Sequence, residues 1–257
     1  MHIVKIHKTI IRLPDKLESM TTEQAKKYLL CKFSDIAEDN RQKEFLWALL
    51  DNKQRKWFLA CNVVQQIQIL ALLDWFSESL PNYPLLSSFV FKGKKYHAPQ
   101  ENMQSSVLAE FILCDTILMS YQKDKNYLEK LTAILYREAE PKKIGDIRQK
   151  LDTDKTDIAA KAFEKIDAPY KLSALAFFLA VKEHISNAYQ EAFEDDEDSE
   201  DLGGGWGFTL YSIAESHTFG VYEDVKFCNL YEILNYLVKK KREYKAQKRN
   251  QEKANKR

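Results

Sequence analysis

The side chains best suited to metal or nucleophilic chemistry are few in this chain and lie far apart. Five histidines (His2, His7, His97, His184, His217) and four cysteines (Cys31, Cys61, Cys114, Cys228) are spread over 257 residues. A helical metal site needs histidines four residues apart, and a thiolate site needs close pairs such as CxxC. Neither spacing occurs, and no cysteine lies within four residues of a histidine. His184 stands beside Glu183 in a helical run and reads as a solvated histidine, not a general base. There is no GxSxG elbow, and no histidine and acid can be assigned to a particular serine or cysteine. Lys92-Gly93-Lys94-Lys95 has a superficial likeness to a phosphate loop. The Walker spacing needs glycine at 88 and Ser or Thr at 95, where Ser88 and Lys95 stand. A dinucleotide loop built on Gly203–Gly207 fails in the same way, because Phe208 and Leu210 occupy the positions of its last glycine. The acids of 191–201 lack the glycine and distal glutamate of an EF-hand. The residues thus assign no catalytic group, no cofactor and no metal, and the expectation is a protein that is not an enzyme.

The elements that would position any site are mostly helical. Apolar content of 45% and aromatic content of 12% describe a packed globule, while seven glycines and six prolines favour helix. The expected class is mainly α, an α+β protein with a minor β component. Its body is bundle-like, with an N-terminal strand and one β-hairpin. Residues 3–13 alternate and end at Pro14, which predicts the strand. Thr21 and Gln24 form a capping box that starts a helix running to about Phe33. Further helices are expected over 41–52 and 54–80. The second is apolar on most faces (Trp57, Phe58, Val63, Val64, Ile67, Leu70, Leu73, Trp75, Phe76) and reads as central to the core. The hairpin lies near 88–98 and turns at Lys92-Gly93-Lys94. Helices follow over 105–122, 127–138, 153–166 and 169–193. A short one covers 207–216, and a last one begins at Asn229, a good N-cap. The cysteines fall in apolar runs and read as free thiols in a reducing compartment. The longest apolar runs are far below the ~20 residues that span a bilayer, and the alternating N-terminus is not a signal peptide. The chain reads as cytoplasmic.

Charge is segregated near the C-terminus. Residues 191–201 hold eight acids and no base, whereas 239–257 hold ten bases and two acids, within a total of only +1. The expected organisation is a body at 1–193, an acidic and glycine-rich linker at 194–205, an aromatic helical segment at 206–238 and a basic tail at 239–257. Trp206, Phe208, Tyr211, Phe219 and Tyr222 are the candidate protein-binding residues. The segment that holds them either packs back on the body or presents them to another protein. Lys239, Lys240, Lys241, Arg242, Lys245, Lys248 and Arg249 are candidate electrostatic contacts for nucleic acid. Tyr244 is the only aromatic among them, so no stacking platform is present. The two charged segments also attract each other, and the tail can fold back on the linker.

Four stretches recur in order: LPDKLESMTTEQAKKYLL, a hydrophobic run ending LLDWFSESLP, FVFKGKKYHAP, and LEKLTAILYREAEP. The chain then closes with GWGFTLYSIAE and VKFCNLYEILNYL. This order resembles small helical proteins of tailed-phage and prophage morphogenesis clusters in Bacteroides-type genomes, and is similar to tail assembly chaperones. The resemblance implies a non-enzymatic protein of the bacterial host cytoplasm. It would bind the tape-measure protein, or another tail protein, and keep its helical segments soluble until tail-tube subunits replace it. It also implies a longer product made by translational frameshifting. The chain is large for this class, and its acidic linker and basic tail have no counterpart there. A virion structural or connector subunit, and a nucleic-acid-associated helical protein acting through the tail, are therefore the alternatives.

Overall fold

The computed structural model describes residues 1–6, 9–121, 123–141, 145–193 and 205–255. The fold is mainly helical, with two small antiparallel sheets, as composition and periodicity imply. The N-terminal run is two strands and not one. Strands β1 (His2–Ile6) and β2 (Thr9–Leu13) pair with Val4 opposite Ile11. A lone strand leaves its backbone groups unpaired, and folding the run in half pairs them within the segment. In β2 the residues alternate strictly, with Thr9, Ile11 and Leu13 buried and Ile10 and Arg12 outward.

Helix α1 (Thr22–Lys32) starts at the expected capping box. The Gln24 amide donates to Thr21 Oγ1 at 3.3 Å, and the Thr21 amide donates to Gln24 Oε1 at 2.9 Å. Helix α2 (Glu38–Leu49) follows. The single long helix expected over 54–80 is instead α3 (Asn52–Ala60), α4 (Val63–Ala71) and a 3-10 turn at Asp74–Ser77. The break has a local cause. Asn62 and Gln65 form a second capping box, with bonds of 2.9 and 3.1 Å, so the chain restarts there instead of continuing. Asp51 and Gln54 do the same at the start of α3.

Strands β3 (Ser88–Phe91) and β4 (Lys94–His97) form the expected hairpin. Lys92 and Gly93 both take positive φ, of 49° and 77°, which suits a tight two-residue turn. Next come α5 (Leu108–Met119) and α6 (Tyr127–Leu135). The end of the predicted 127–138 helix peels off as β5 (Arg137–Glu138), a third strand against β4. Helices α7 (Thr153–Phe163), α8 (Ala168–Ala188) and α9 (Gln190–Phe193) complete the body. Helices α10 (Gly205–Glu215), α11 (Tyr222–Lys226) and α12 (Leu230–Asn255) end the chain. Asn229 caps α12 as expected, its Oδ1 accepting from the Tyr231 amide at 2.9 Å.

Two apolar cores meet at α8. The first gathers Ile11, Leu13, Tyr28, Phe45, Trp75 and Phe76 from the N-terminal elements, and Ala176 from α8. The second joins Phe111, Leu131, Phe163 and Phe178 to Leu210, Ile213, Leu230 and Ile233. The aromatic C-terminal segment therefore packs back on the body, where the chain also stitches it by backbone bonds. The Leu108 amide donates to the Cys228 carbonyl, and the Leu230 amide to the Ser106 carbonyl, both at 3.0 Å. The central helix is α8, with Phe177, Phe178 and Val181 fully enclosed. The 54–80 region, expected to be central, is so in part: Phe58, Ile69, Leu73, Trp75 and Phe76 are buried in the first core, whereas Leu59, Val63, Val64 and Ile67 are 60–70% exposed. Asn62→Ala, which removes the cap that separates α4 from α3, is expected to cost about 1 kcal/mol, read as a lower urea midpoint at unchanged slope.

Candidate functional site

The polar cluster with the most buried charge lies where α5, β5 and the segment before α7 converge. Arg148 is fully enclosed. Its guanidinium donates to Glu110 Oε2 at 2.9 Å, to Asp146 at 2.9 and 2.7 Å, to Ser106 Oγ at 3.1 Å and to the Leu135 carbonyl at 2.8 Å. Arg137 donates to the other oxygen of Glu110 at 2.6 Å, while its Nε and Nη1 are buried without a partner. Burial opposes charge on both arginines. For Arg137 burial wins, and its pKa falls below the usual guanidinium range despite Glu110. For Arg148, burial is outweighed by Glu110 and Asp146, and the pKa rises. Burial also opposes charge on Asp146, but Arg148 overcomes it and holds the carboxyl below 3.8. Each acid is committed to a guanidinium, so this cluster staples elements and offers no free base.

Three surface clefts are better placed for ligands. One, about 830 Å³, lies between α5, the start of α7 and α11. Its Lys150, Lys155 and Lys226 are balanced by Glu140, Asp152 and Glu223, and two pairs are in contact: Lys155–Asp152 at 3.3 Å and Lys226–Glu223 at 2.6 Å. A second, about 440 Å³, opens beside β5 and α7. Neither has a His, Cys or Ser among its described lining residues. The third, about 430 Å³, runs between the N-terminal hairpin and α3–α4. Cys114, the one fully buried thiol, has its pKa pushed well up by burial, which makes it a poor nucleophile. Among the described residues no group of three or more His, Cys, Asp or Glu is placed to hold a metal ion, and no helix is long and apolar enough to cross a membrane.

The candidate aromatic residues do not form one surface. Trp206 is an anchor within the protein. Its indole donates to Asp115 Oδ2 at 3.1 Å, and its ring packs on Phe111 and Phe193 at 5.5 and 5.9 Å. Asp115 also takes Lys182 at 2.6 Å, so one carboxylate joins α5, α8 and α10. Phe219 is half-buried against Tyr236. Tyr211 is exposed and stacks on Tyr222 at 4.7 Å, whose ring also carries the Lys226 ammonium at 5.1 Å. The side chain of Phe208 lies outside the described residues, as does the acidic run 194–204.

The basic residues lie on one continuous helix, α12. Lys239 and Lys240 face Glu243 at 3.9 and 3.1 Å. Arg242 grips Glu191 with two bonds of 2.7 and 2.9 Å, which fastens α12 to α9. Lys241, Lys245, Lys248 and Arg249 continue outward along the helix.

The surface that sequence reasoning missed is the outer side of α4. At 100° per residue Val63, Ile67, Ala71 and Val64 share one face, and Gln65, Gln68, Ile69 and Leu72 turn toward the 430 Å³ groove beside it. Residues 57–73 carry no charged side chain, a signal that was present in the sequence but was read as burial. Comparison with family models, with curated proteins and with solved structures finds no match to this chain.

Removing Arg148 leaves the part-buried Asp146 without its guanidinium and the buried Glu110 with Arg137 alone. Arg148→Met is expected to cost about 3–5 kcal/mol in chemical denaturation. The lowered pKa of Asp146 means that its stabilisation is complete above 3.8 and is lost as pH falls through the lowered value. Asp146→Asn should therefore lower stability at neutral pH and flatten the decline seen on acidification, measured as urea midpoints across the acid range.

Proposed function

We propose that this chain is a non-enzymatic protein-binding assembly factor that holds an apolar helical segment of a partner against the outer face of α3 and α4. The exposed, uncharged stripe carries the reading: Val63, Val64 and Ile67 on α4, with Leu59 on α3, are each 60–70% exposed. Apolar side chains on successive turns, beside a groove, suit an amphipathic partner helix whose anchors recur every three or four residues. With no charge of its own, the face favours an equally apolar partner and repels none by sign. Of its flanking glutamines, Gln65 is held by the Asn62 amide and Gln66 by the Phe58 and Cys61 carbonyls, while Gln68 can bond the polar margin of such a helix.

The resemblance to tail assembly chaperones supplies the identity of the partner in this proposal: the tape-measure protein, met in the bacterial host cytoplasm. Its long apolar helices need a soluble cover before tail-tube subunits enclose them, and the α4 face is a surface of that kind. Val64→Glu combined with Ile67→Glu places two charges on the stripe while leaving the buried core untouched. Co-expressed with a tape-measure fragment, the unaltered protein is expected to keep the fragment soluble and to co-purify with it. The double variant, with an unchanged circular dichroism spectrum, should recover at least about ten-fold less, as for loss of two central apolar contacts. Equal recovery by both proteins would sink the assignment of this face.

A further inference from the structure

Helix α12 is the longest in the structure and belongs to the core only at its start, where Leu230, Ile233 and Leu234 are buried. Its outer part converts a basic composition into a directed surface. On an uninterrupted helix Lys241, Arg242, Lys245, Lys248, Arg249 and Lys253 fall within an arc of about 140°. Glu252 is the one acid in that arc. Tyr244 and Ala246 border the arc, and the far side carries Gln247, Asn250, Gln251 and Ala254. Lys239 and Lys240 also lie off the stripe, where Glu243 pairs with them. The two-bond clasp between Arg242 and Glu191 fixes the root of the helix on α9, so the outer cations are presented on a defined axis. Beyond the root, Lys245, Lys248 or Arg249, and Lys253 follow at about 5–6 Å intervals along that axis.

We propose that this stripe is a contact surface for the phosphate backbone of double-stranded nucleic acid, without sequence preference. A rank of cations on one side of a helix can neutralise successive phosphates and release their counterions. Tyr244, the aromatic of this stretch, borders the stripe beside Lys241 and Lys248, but a single ring gives successive unpaired bases no run of rings to stack on, and the duplex is the favoured form. Four of the six cations on the stripe are lysines, compact point charges suited to phosphate, which fits contact with the backbone. The stripe lies on a different helix from the α4 face, so this inference stands or falls independently of the partner-binding reading.

The test is fluorescence anisotropy of a labelled duplex of arbitrary sequence, about 20 base pairs long, titrated with the full chain from about 50 to 200 mM salt. Binding is expected at the low-salt end, with a log–log salt slope of about −4 to −5, as for five neutralised phosphates. Arg249→Gln with Lys253→Gln lies far from the core and should leave the fold intact. That variant is expected to bind about ten-fold more weakly and to reduce the slope by about two. A polyglutamate peptide of similar charge should bind more weakly than the duplex. Absence of duplex binding at low salt, or unchanged binding by the double variant, overturns the proposal. Tighter binding of polyglutamate than of the duplex also overturns it, and reassigns the stripe to an acidic protein partner.

Discussion

The fold depends on a guanidinium that has no access to water. Arg148 sits where α5, the end of α6 and the strand-like return before α7 come together, and it bonds to all three. An unpaired charge there would cost several kcal/mol, so the cluster tolerates little rearrangement: Glu110 must face both arginines, and Asp146 must turn inward. The backbone is arranged to allow this. The Glu140 amide donates to the Ile147 carbonyl at 2.7 Å and the Gln149 amide to the Glu138 carbonyl at 2.8 Å. These bonds bring residues 146–149 back along β5, and Arg137 enters from β5 itself. The third strand of the second sheet is thus tied to the burial of charge beside it.

Around that staple, α8 connects the two halves of the molecule. Its small and aromatic residues divide between two cores, Ala176 facing the N-terminal helices and Phe178 the C-terminal ones. Tyr136 adds a polar tie between the halves, its hydroxyl donating to the Leu86 carbonyl and lying 3.1 Å from Ser173 on α8. The outcome is a centre that is fully committed to its own packing. Apolar surface remains at the edge, on α4, and charge remains at the far end, on α12. The exposed side chains of these peripheral helices can change without touching the core.

Much of the local structure was legible because its causes are local. The Thr21–Gln24 box, the Asn229 cap and the Lys92-Gly93 turn are all set by residues within four positions of one another, and each forms as read. The break within 54–80 was legible in principle, since Asn62 and Gln65 have the capping spacing, but a run of apolar residues obscured it. The same run hides that one face of α4 is exposed: apolar periodicity reports that a face avoids water, and it does not say whether the chain or another molecule covers that face. The basic residues were legible as a list, but their alignment on one stripe depends on α12 continuing unbroken to Asn255.

The sequence by itself determined the helical class, most helix starts, one hairpin and the segregation of charge at the C-terminus. These follow from backbone preferences and net charge, which act over a few residues. Only the tertiary structure decided that Ile3–Leu13 pairs with itself, that α8 joins the two cores while one face of α4 stays exposed, and that Trp206 bonds Asp115 across the fold. It also decided that Glu110, Arg137, Arg148 and Asp146 meet. Those partners lie 27 and 38 positions apart along the chain in the Glu110 pairs. Which distant charges are brought together is settled by the packing of whole elements, and that packing depends on the shape of the core as a whole.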